Sequence, residues 1–331
     1  MTVPVSLVTG GAGFIGSHVA DELLKLGFKV VVLDDLSGGF RDNVPDGAEF
    51  FAGSILDEAV IARLFTQYRF DYVYHLAAYA AEGLSHFIKR FNFMNNVVGS
   101  VNLINAAVNF DVRCFVFTSS IAVYGSAQVP MVEDTTPIPE DSYGIAKFAV
   151  ELELAATKRL FGLNYVVFRP HNVYGERQNT ADKYRNVIGI FMNKLMKDEP
   201  MPIFGDGRQQ RAFTYISDVA PVIAGAVANP QLYNQTFNIG ADTPCRICDL
   251  AETVAEAMGK PCHTLLLPAR EEAYLAFSSH AKLSRLTGYM PRVNLEEGVR
   301  RMASWAKKVG PRASRPFDEI EIKKNLPAAW S

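Results

Sequence analysis

Tyr143-Gly-Ile-Ala-Lys147 places a phenol and an ammonium four residues apart in a segment with helical patterning, so both lie on one face of that helix. A phenol of pKa near 10 is only about 0.1% ionised at neutral pH, and lowering it by roughly three units takes about 4 kcal/mol of differential stabilisation. Nearby positive charge supplies this and makes Tyr143 a general base for the proton of an alcohol. Upstream, the strand-like run Arg113-Cys-Phe-Val-Phe-Thr118 ends in Ser119-Ser120. That ending sets hydroxyls at the carboxyl edge of a sheet, where Ser120 can hold the same alcohol oxygen. Taken alone, a Tyr-x-x-x-Lys spacing reads as a surface tyrosine beside a solvated lysine. The trio gains its meaning from the elements that position it.

The first of these is Val5-Ser-Leu-Val-Thr-Gly-Gly-Ala-Gly-Phe-Ile-Gly-Ser17, a strand pattern that runs through Gly10, Gly13, Phe14, Ile15 and Gly16 into a helix. The helix N-terminus attracts phosphate, and the missing Cβ atoms let the backbone approach a pyrophosphate closely. A second buried strand, Lys29-Val-Val-Val-Leu33, ends at Asp34, about 20 residues after the turn, where an acid bonds ribose hydroxyls and repels a 2′-phosphate. The reading is a dinucleotide site that prefers NAD to NADP. Its nicotinamide would lie at Ser119-Ser120, and its positive charge joins Lys147 in lowering the Tyr143 pKa.

The 331 residues suffice for a large core and two domains, and 49% hydrophobic with 21% charged residues describes an ordinary globular chain. A net charge of −2 gives no reason for a nucleic-acid partner. No apolar run is long enough to span a bilayer, and the N-terminus lacks a secretion pattern, which points to the cytoplasm. The four cysteines make no disulfide framework. Cys245-Arg-Ile-Cys248 lacks a second paired spacing, so no metal is expected.

Strand-like runs at 4–9, 29–33, 48–52, 71–76, 112–118 and 164–169 alternate with helical patterns at 15–26, 57–67, 93–109 and 142–161. This predicts an α/β fold, a Rossmann-type doubly wound parallel sheet with ligands at the carboxyl ends of its strands. Residues 36–47 and 128–141 read as loops. Beyond residue 170 the alternation weakens into helices at 184–195, 217–228, 249–258 and 295–308, a loop with a short strand at 201–211 and a strand at 235–239. The expected division is 1–170 for the dinucleotide domain and 171–331 for a smaller mixed α/β substrate domain, with about 213–240 returning to the first. Residues 310–331 read either as a surface strap or as a frayed tail.

With these motifs the chain resembles the extended branch of the short-chain dehydrogenase/reductase superfamily, and within it the nucleotide-sugar epimerases of the UDP-glucose 4-epimerase type. The resemblance runs from Thr9-Gly-Gly-Ala-Gly-Phe-Ile-Gly16 to Leu295-Glu-Glu-Gly298. It includes His75-Leu-Ala-Ala78, Asn95-Asn-Val97, Arg169-Pro-His-Asn-Val-Tyr-Gly175 and Phe204-Gly-Asp-Gly207. It implies that Leu76, Ala77 and Ala78 line the nicotinamide–ribose side of NAD, braced by Asn95, with Thr118 and Pro170 at the adjoining strand ends. Asn172, Asn186 and Val187 would meet the nucleotide diphosphate, and Phe204 would pack on the nucleobase region. Arg211 and Arg270 would make charge-assisted contacts. Ala81 and Glu82, with Ser119, would line the hexose. Ser54 replaces an aspartate before Ile55 at the adenine edge, and Ala212 replaces an aspartate after Arg211.

The relatives share oxidation at the sugar C4 and differ in the next step. Dehydratases of this branch carry Asp-Glu where this chain has Ile121-Ala122, uronate decarboxylases a Glu at the second place, and 3,5-epimerases a Cys. With no second acid or base there, the resemblance implies C4 epimerisation with Tyr143, Lys147, Ser120 and a retained NAD. Glu82 would repel a uronate carboxylate, which favours a neutral hexose. UDP-glucuronate or UDP-N-acetylhexosamine epimerisation, a dehydrogenase that releases NADH, and a non-catalytic dinucleotide sensor stay open. His171 and Tyr174 either approach the sugar or are structural. A homodimer is implied, through helices 93–109 and 142–161, although Val97, Val101, Ile104 and Val108 can equally face the sheet.

Overall fold

Strands written as unbroken apolar runs are buried on both faces, as a parallel sheet covered by helices requires. The computed structural model describes residues 3–126, 129–269, 273–312, 317–318, 320–327 and 330. In chain order come β1 (Val5–Thr9), α1 (Phe14–Lys25), β2 (Lys29–Asp34), β3 (Glu49–Ala52), α2 (Glu58–Tyr68) and β4 (Tyr72–His75). Two short helices follow, α3 (Glu82–Ser85) and α4 (Lys89–Phe93), then a wider π turn over Met94–Val98 and α5 (Gly99–Asn109). Next are β5 (Cys114–Thr118), α6 (Ser142–Phe161) and β6 (Asn164–Pro170).

After β6 come β7 (Val173–Tyr174), α7 (Val187–Met196), β8 (Met201–Phe204), β9 (Gln210–Ala212), β10 (Thr214–Tyr215) and α8 (Ala220–Gly225). The chain continues with β11 (Gln235–Ile239), β12 (Pro244–Arg246), α9 (Ile247–Met258), β13 (Thr264–Leu267), β14 (Leu275–Ala276), α10 (Ala281–Thr287) and α11 (Leu295–Val309). The main sheet has seven parallel strands in the order β11-β6-β5-β4-β1-β2-β3. The order reverses between β1 and β4, where a doubly wound sheet opens its ligand crevice.

Alternate residues of each strand feed two cores. Val8, Val30, Val32, Val116 and Phe168 pack on the side of α1 and α8, while Leu7, Val31, Leu33, Phe115 and Phe117 pack on the side of α2, α5 and α6. The turn between β1 and α1 is possible only with glycine. Gly10 has φ +72 and a Cβ there would lie 2.6 Å from the Ala77 nitrogen, while one on Gly16 would lie 2.1 Å from the Gly10 carbonyl oxygen.

The helix expected over 93–109 is three pieces, because the π turn adds a residue where Met94-Asn-Asn interrupts the apolar period. Ile104 faces the sheet, and the exposed apolar side chains of this run are Phe93, Met94 and Val98. The helix expected from 184 begins at Val187, since Asn186 takes a left-handed φ of 66. The segment 217–228 is broken into a helical turn, α8 and a second turn. Among the described residues no helix is long and apolar enough to cross a membrane.

Candidate active site

The carboxyl ends of β1, β2, β4, β5 and β6 open into a cavity of about 1560 Å³ whose other wall comes from segments after β6. Gly10, Gly13, Phe14, Ile15, Gly16, Asp34 and Ile55 line it at one end, Leu76, Ala77, Ala78, Asn95, Thr118, Ser119, Ser120, Tyr143, Lys147 and Pro170 at the middle. Glu82, Asn172, Asn186, Val187, Phe204 and Arg211 face it as well. Two expected residues do not. Ser54 turns its hydroxyl to the Leu56 N–H at 3.2 Å, and Ala81 is fully buried among Leu84, Ile88 and Tyr184. Arg270 lies outside the described residues.

The turn fits a dinucleotide. The first N–H groups of α1 have no partner within the helix and open on a side-chain-free surface made by Gly10 and Gly13. Asp34 accepts hydrogen bonds from the Ala12 N–H at 3.0 Å and the Leu36 N–H at 2.8 Å, which fixes its carboxylate beside that turn. Burial pushes its pKa up, and these hydrogen bonds oppose the rise.

The start of α6 is pinned from several sides. Asp141 caps it by accepting the Gly144 N–H at 2.8 Å, the Tyr143 N–H donates to the Ser85 hydroxyl at 3.1 Å, and Asn92 donates to the Ser142 carbonyl at 2.7 Å. Tyr143 is thereby held against α3 and α4. Lys147, one turn on, donates to the Thr118 carbonyl oxygen at 2.8 Å and lies 4.7 Å from the Phe117 ring centroid.

Burial dominates the electrostatics of the pair. It pushes the Tyr143 phenol above its ordinary range, opposed by the hydrogen bond with Ser120; Asp141 and Glu82 raise it further, and Arg185 lowers it. It pulls Lys147 down to about 7, and Glu151 acts to raise it. The phenol therefore keeps its proton until further positive charge is placed against it. The Lys147 side-chain nitrogen already lies 5.8 Å from the Tyr143 ring centroid. Arg185 is a second nearby cation. It pairs with Asp182 at 2.6 Å and stacks on Tyr79 while lining the cavity. Sequence reasoning passed over Arg185, because an arginine in a loop is ordinarily solvated; its position directly before Asn186 was the available signal.

Several polar groups near the site are structural. Ser119 faces the cavity edge but gives its hydroxyl hydrogen to Glu151 at 2.5 Å. His75 is clamped between Thr9 at 2.7 Å and Ser100 at 2.8 Å, and burial with the nearby Lys147 charge holds its pKa down at about 3. His171 stacks on His280, which pairs with Asp242, and burial again keeps it neutral. Tyr174 and His171 both line the cavity, and the Tyr174 hydroxyl donates to the Leu295 carbonyl at 3.3 Å. Asn95 donates to the Phe91 carbonyl and Asn172 to the Ala212 carbonyl, both at 3.0 Å, so each side chain braces backbone on the cavity wall. Among the described residues no group of three or more His, Cys, Asp or Glu is arranged to hold a metal.

Residues 6–240 match the model of the NAD dependent epimerase/dehydratase family. A putative UDP-glucose 4-epimerase of Methanocaldococcus jannaschii is 34% identical over 304 residues, covering 91% of this chain and 98% of the relative. The UDP-glucose 4-epimerase of Thermotoga maritima, solved with UDP-glucose, superimposes with a TM-score of 0.88 at 35% identity, covering 92% of this chain and 99% of that one. The Thermus thermophilus UDP-glucose 4-epimerase, solved with NAD, has a TM-score of 0.85 at 32% identity, covering 91% and 98%. The glycine turn, the Tyr143/Lys147 pair and these likenesses converge, and the chain belongs to the NAD-dependent epimerase/dehydratase family.

Proposed function

We propose that the protein is an NAD-dependent 4-epimerase of a nucleotide-activated hexose, of the UDP-glucose/UDP-galactose type. The observation that carries this reading is that Ser120, Tyr143 and Lys147 line the same cavity as the glycine turn, with Ile121 and Ala122 beside them offering no further acid or base. NAD, which the Gly10–Gly16 turn and Asp34 would hold, would supply hydride acceptance and return at the sugar C4. Ser120 holds O4 and Tyr143 removes its proton, then gives the same proton back after the sugar has turned. Lys147 and Arg185 favour the phenolate. Glu82 faces the hexose and disfavours a sugar carboxylate. Conversion of UDP-galactose to UDP-glucose without added NAD and without net NADH tests this; NADH release would indicate a dehydrogenase, and turnover of UDP-glucuronate at a comparable rate would remove the preference for a neutral sugar.

The same reading includes the division near residue 170 and a homodimer. Phe93, Met94 and Val98 beside Ile145 and Leu152 of α6 leave an apolar face, each side chain between 37% and 57% exposed. A continuous face of that kind favours pairing with a second copy across a two-fold axis.

A further inference from the structure

Several described residues after α11 are anchored to the rest of the fold. The Phe317 ring packs on Tyr79 and Phe91 with centroids 5.3 and 4.8 Å away, and its N–H donates to the Tyr184 hydroxyl at 3.2 Å. The Glu321 carboxylate accepts the N–H groups of Arg90 and Phe91, both at 2.8 Å, at the start of α4. The Glu321 and Ile322 N–H groups both donate to the Phe87 carbonyl, at 2.9 and 3.1 Å. These bonds fasten the strap across α3 and α4 at one end of the cavity.

The strap delivers Trp330. Its indole is 6% exposed and meets Phe87 and Tyr184 edge to face, with centroids 6.1 and 5.7 Å away. It lies so close to α3 that a Cβ on Gly83 would sit 2.8 Å from the indole Cη2. Gly83 follows Glu82, and two residues further the Ser85 hydroxyl accepts the Tyr143 N–H. Trp330 therefore packs on the same short helix that anchors the start of α6, and with Asn325 and Pro327 it lines the cavity beside Glu82 and Tyr184. A rigid, tightly packed aromatic side chain at a cavity wall limits the size of the group that the cavity admits there.

We propose that Trp330 is a specificity-determining residue, carried on the C-terminal strap to wall the cavity beside α3 and restrict the size of the sugar admitted. The inference rests on the epimerase reading above and deepens it. The experiment compares kcat/KM for UDP-galactose and UDP-N-acetylgalactosamine in the full-length protein and in Trp330→Ala. Wild type should prefer the smaller sugar, and Trp330→Ala should raise the N-acetyl to hexose ratio about tenfold or more, with retained NAD unchanged. A wild type that prefers the N-acetyl sugar, or a ratio that stays constant while both activities fall together, overturns the proposal, because a purely structural tryptophan would affect both sugars alike. If Trp330→Ala does not fold, Trp330→Leu keeps an apolar contact on Gly83 and reads the same ratio.

A binding measurement separates failure of this inference from failure of the epimerase reading. The chain has two tryptophans, so emission in Trp305→Phe reports Trp330 alone. UDP-galactose should change that emission more than UDP does, even if neither sugar is turned over. Equal responses to the two ligands overturn the placement of Trp330 at the sugar.

Discussion

Glu151 and Arg169 form a bidentate ion pair, with Nε to Oε1 at 3.0 Å and Nη2 to Oε2 at 2.5 Å, buried one helical turn beyond Lys147. Ser119 donates to the same carboxylate, and the guanidinium lies 4.7 Å from the Tyr124 ring centroid. The pair ties α6 to β6 directly behind the serine–tyrosine site. Removing one partner strands the other charge in the interior, so Glu151→Gln and Arg169→Met should each cost about 3–5 kcal/mol of stability. Double substitution should cost less than the sum, and denaturant unfolding of the four proteins measures the difference.

Lys147 should weaken the protein it serves. Its pKa is about 7 when folded against about 10.5 in a free lysine, the first cause being burial. Between those values the unfolded chain binds more protons than the folded one, so this group makes stability rise with pH from about 7 to 10.5. Below 7 the folded protein carries the full cost of a buried ammonium. The NAD-free Lys147→Met protein should then be more stable than its parent at pH 7, on the order of 4 kcal/mol, with the gap closing towards pH 10. Unfolding of both proteins across that range checks the sign.

Asp34 should set the choice of dinucleotide. Its carboxylate is fixed by the Ala12 and Leu36 N–H groups, so it cannot swing away from a 2′-phosphate. Asp34→Asn removes the charge and keeps an accepting oxygen. Its NAD to NADP affinity ratio should shrink at least about tenfold, a loss of roughly 1.4 kcal/mol of discrimination. Calorimetric binding of both dinucleotides to the stripped protein gives the ratio.

The apolar face formed by Val98 and Leu152 should govern assembly. Val98→Glu with Leu152→Glu places charge in the middle of that face and should convert a dimer to a monomer in light scattering, with the fold unchanged by circular dichroism. A wild type that is already monomeric would contradict the proposed pairing.

Much of the dinucleotide end was legible because its constraints are local. Gly10 and Gly16 are dictated by backbone approach, Asp34 by its place at the end of β2, and Tyr143/Lys147 by one helical turn. The substrate end was less so, since its contacts join distant segments. Nothing near Ala81 announces that Leu84, Ile88 and Trp330 close over it, and nothing near Arg185 announces that Asp182 and Tyr79 hold it in the cavity. The short strands β13 and β14 escaped for a related reason. Thr264–Leu267 is largely exposed and pairs with β8 across some sixty residues of chain, so neither burial nor alternation marks it.

The central claim is tested by incubating the purified protein with UDP-galactose, without added NAD, and identifying the sugar product. The account predicts UDP-glucose with no net NADH, and a kcat lower by about 10²–10⁴ in Tyr143→Phe although that variant keeps its NAD. An unchanged rate in Tyr143→Phe, or NADH accumulating in step with product, would contradict it.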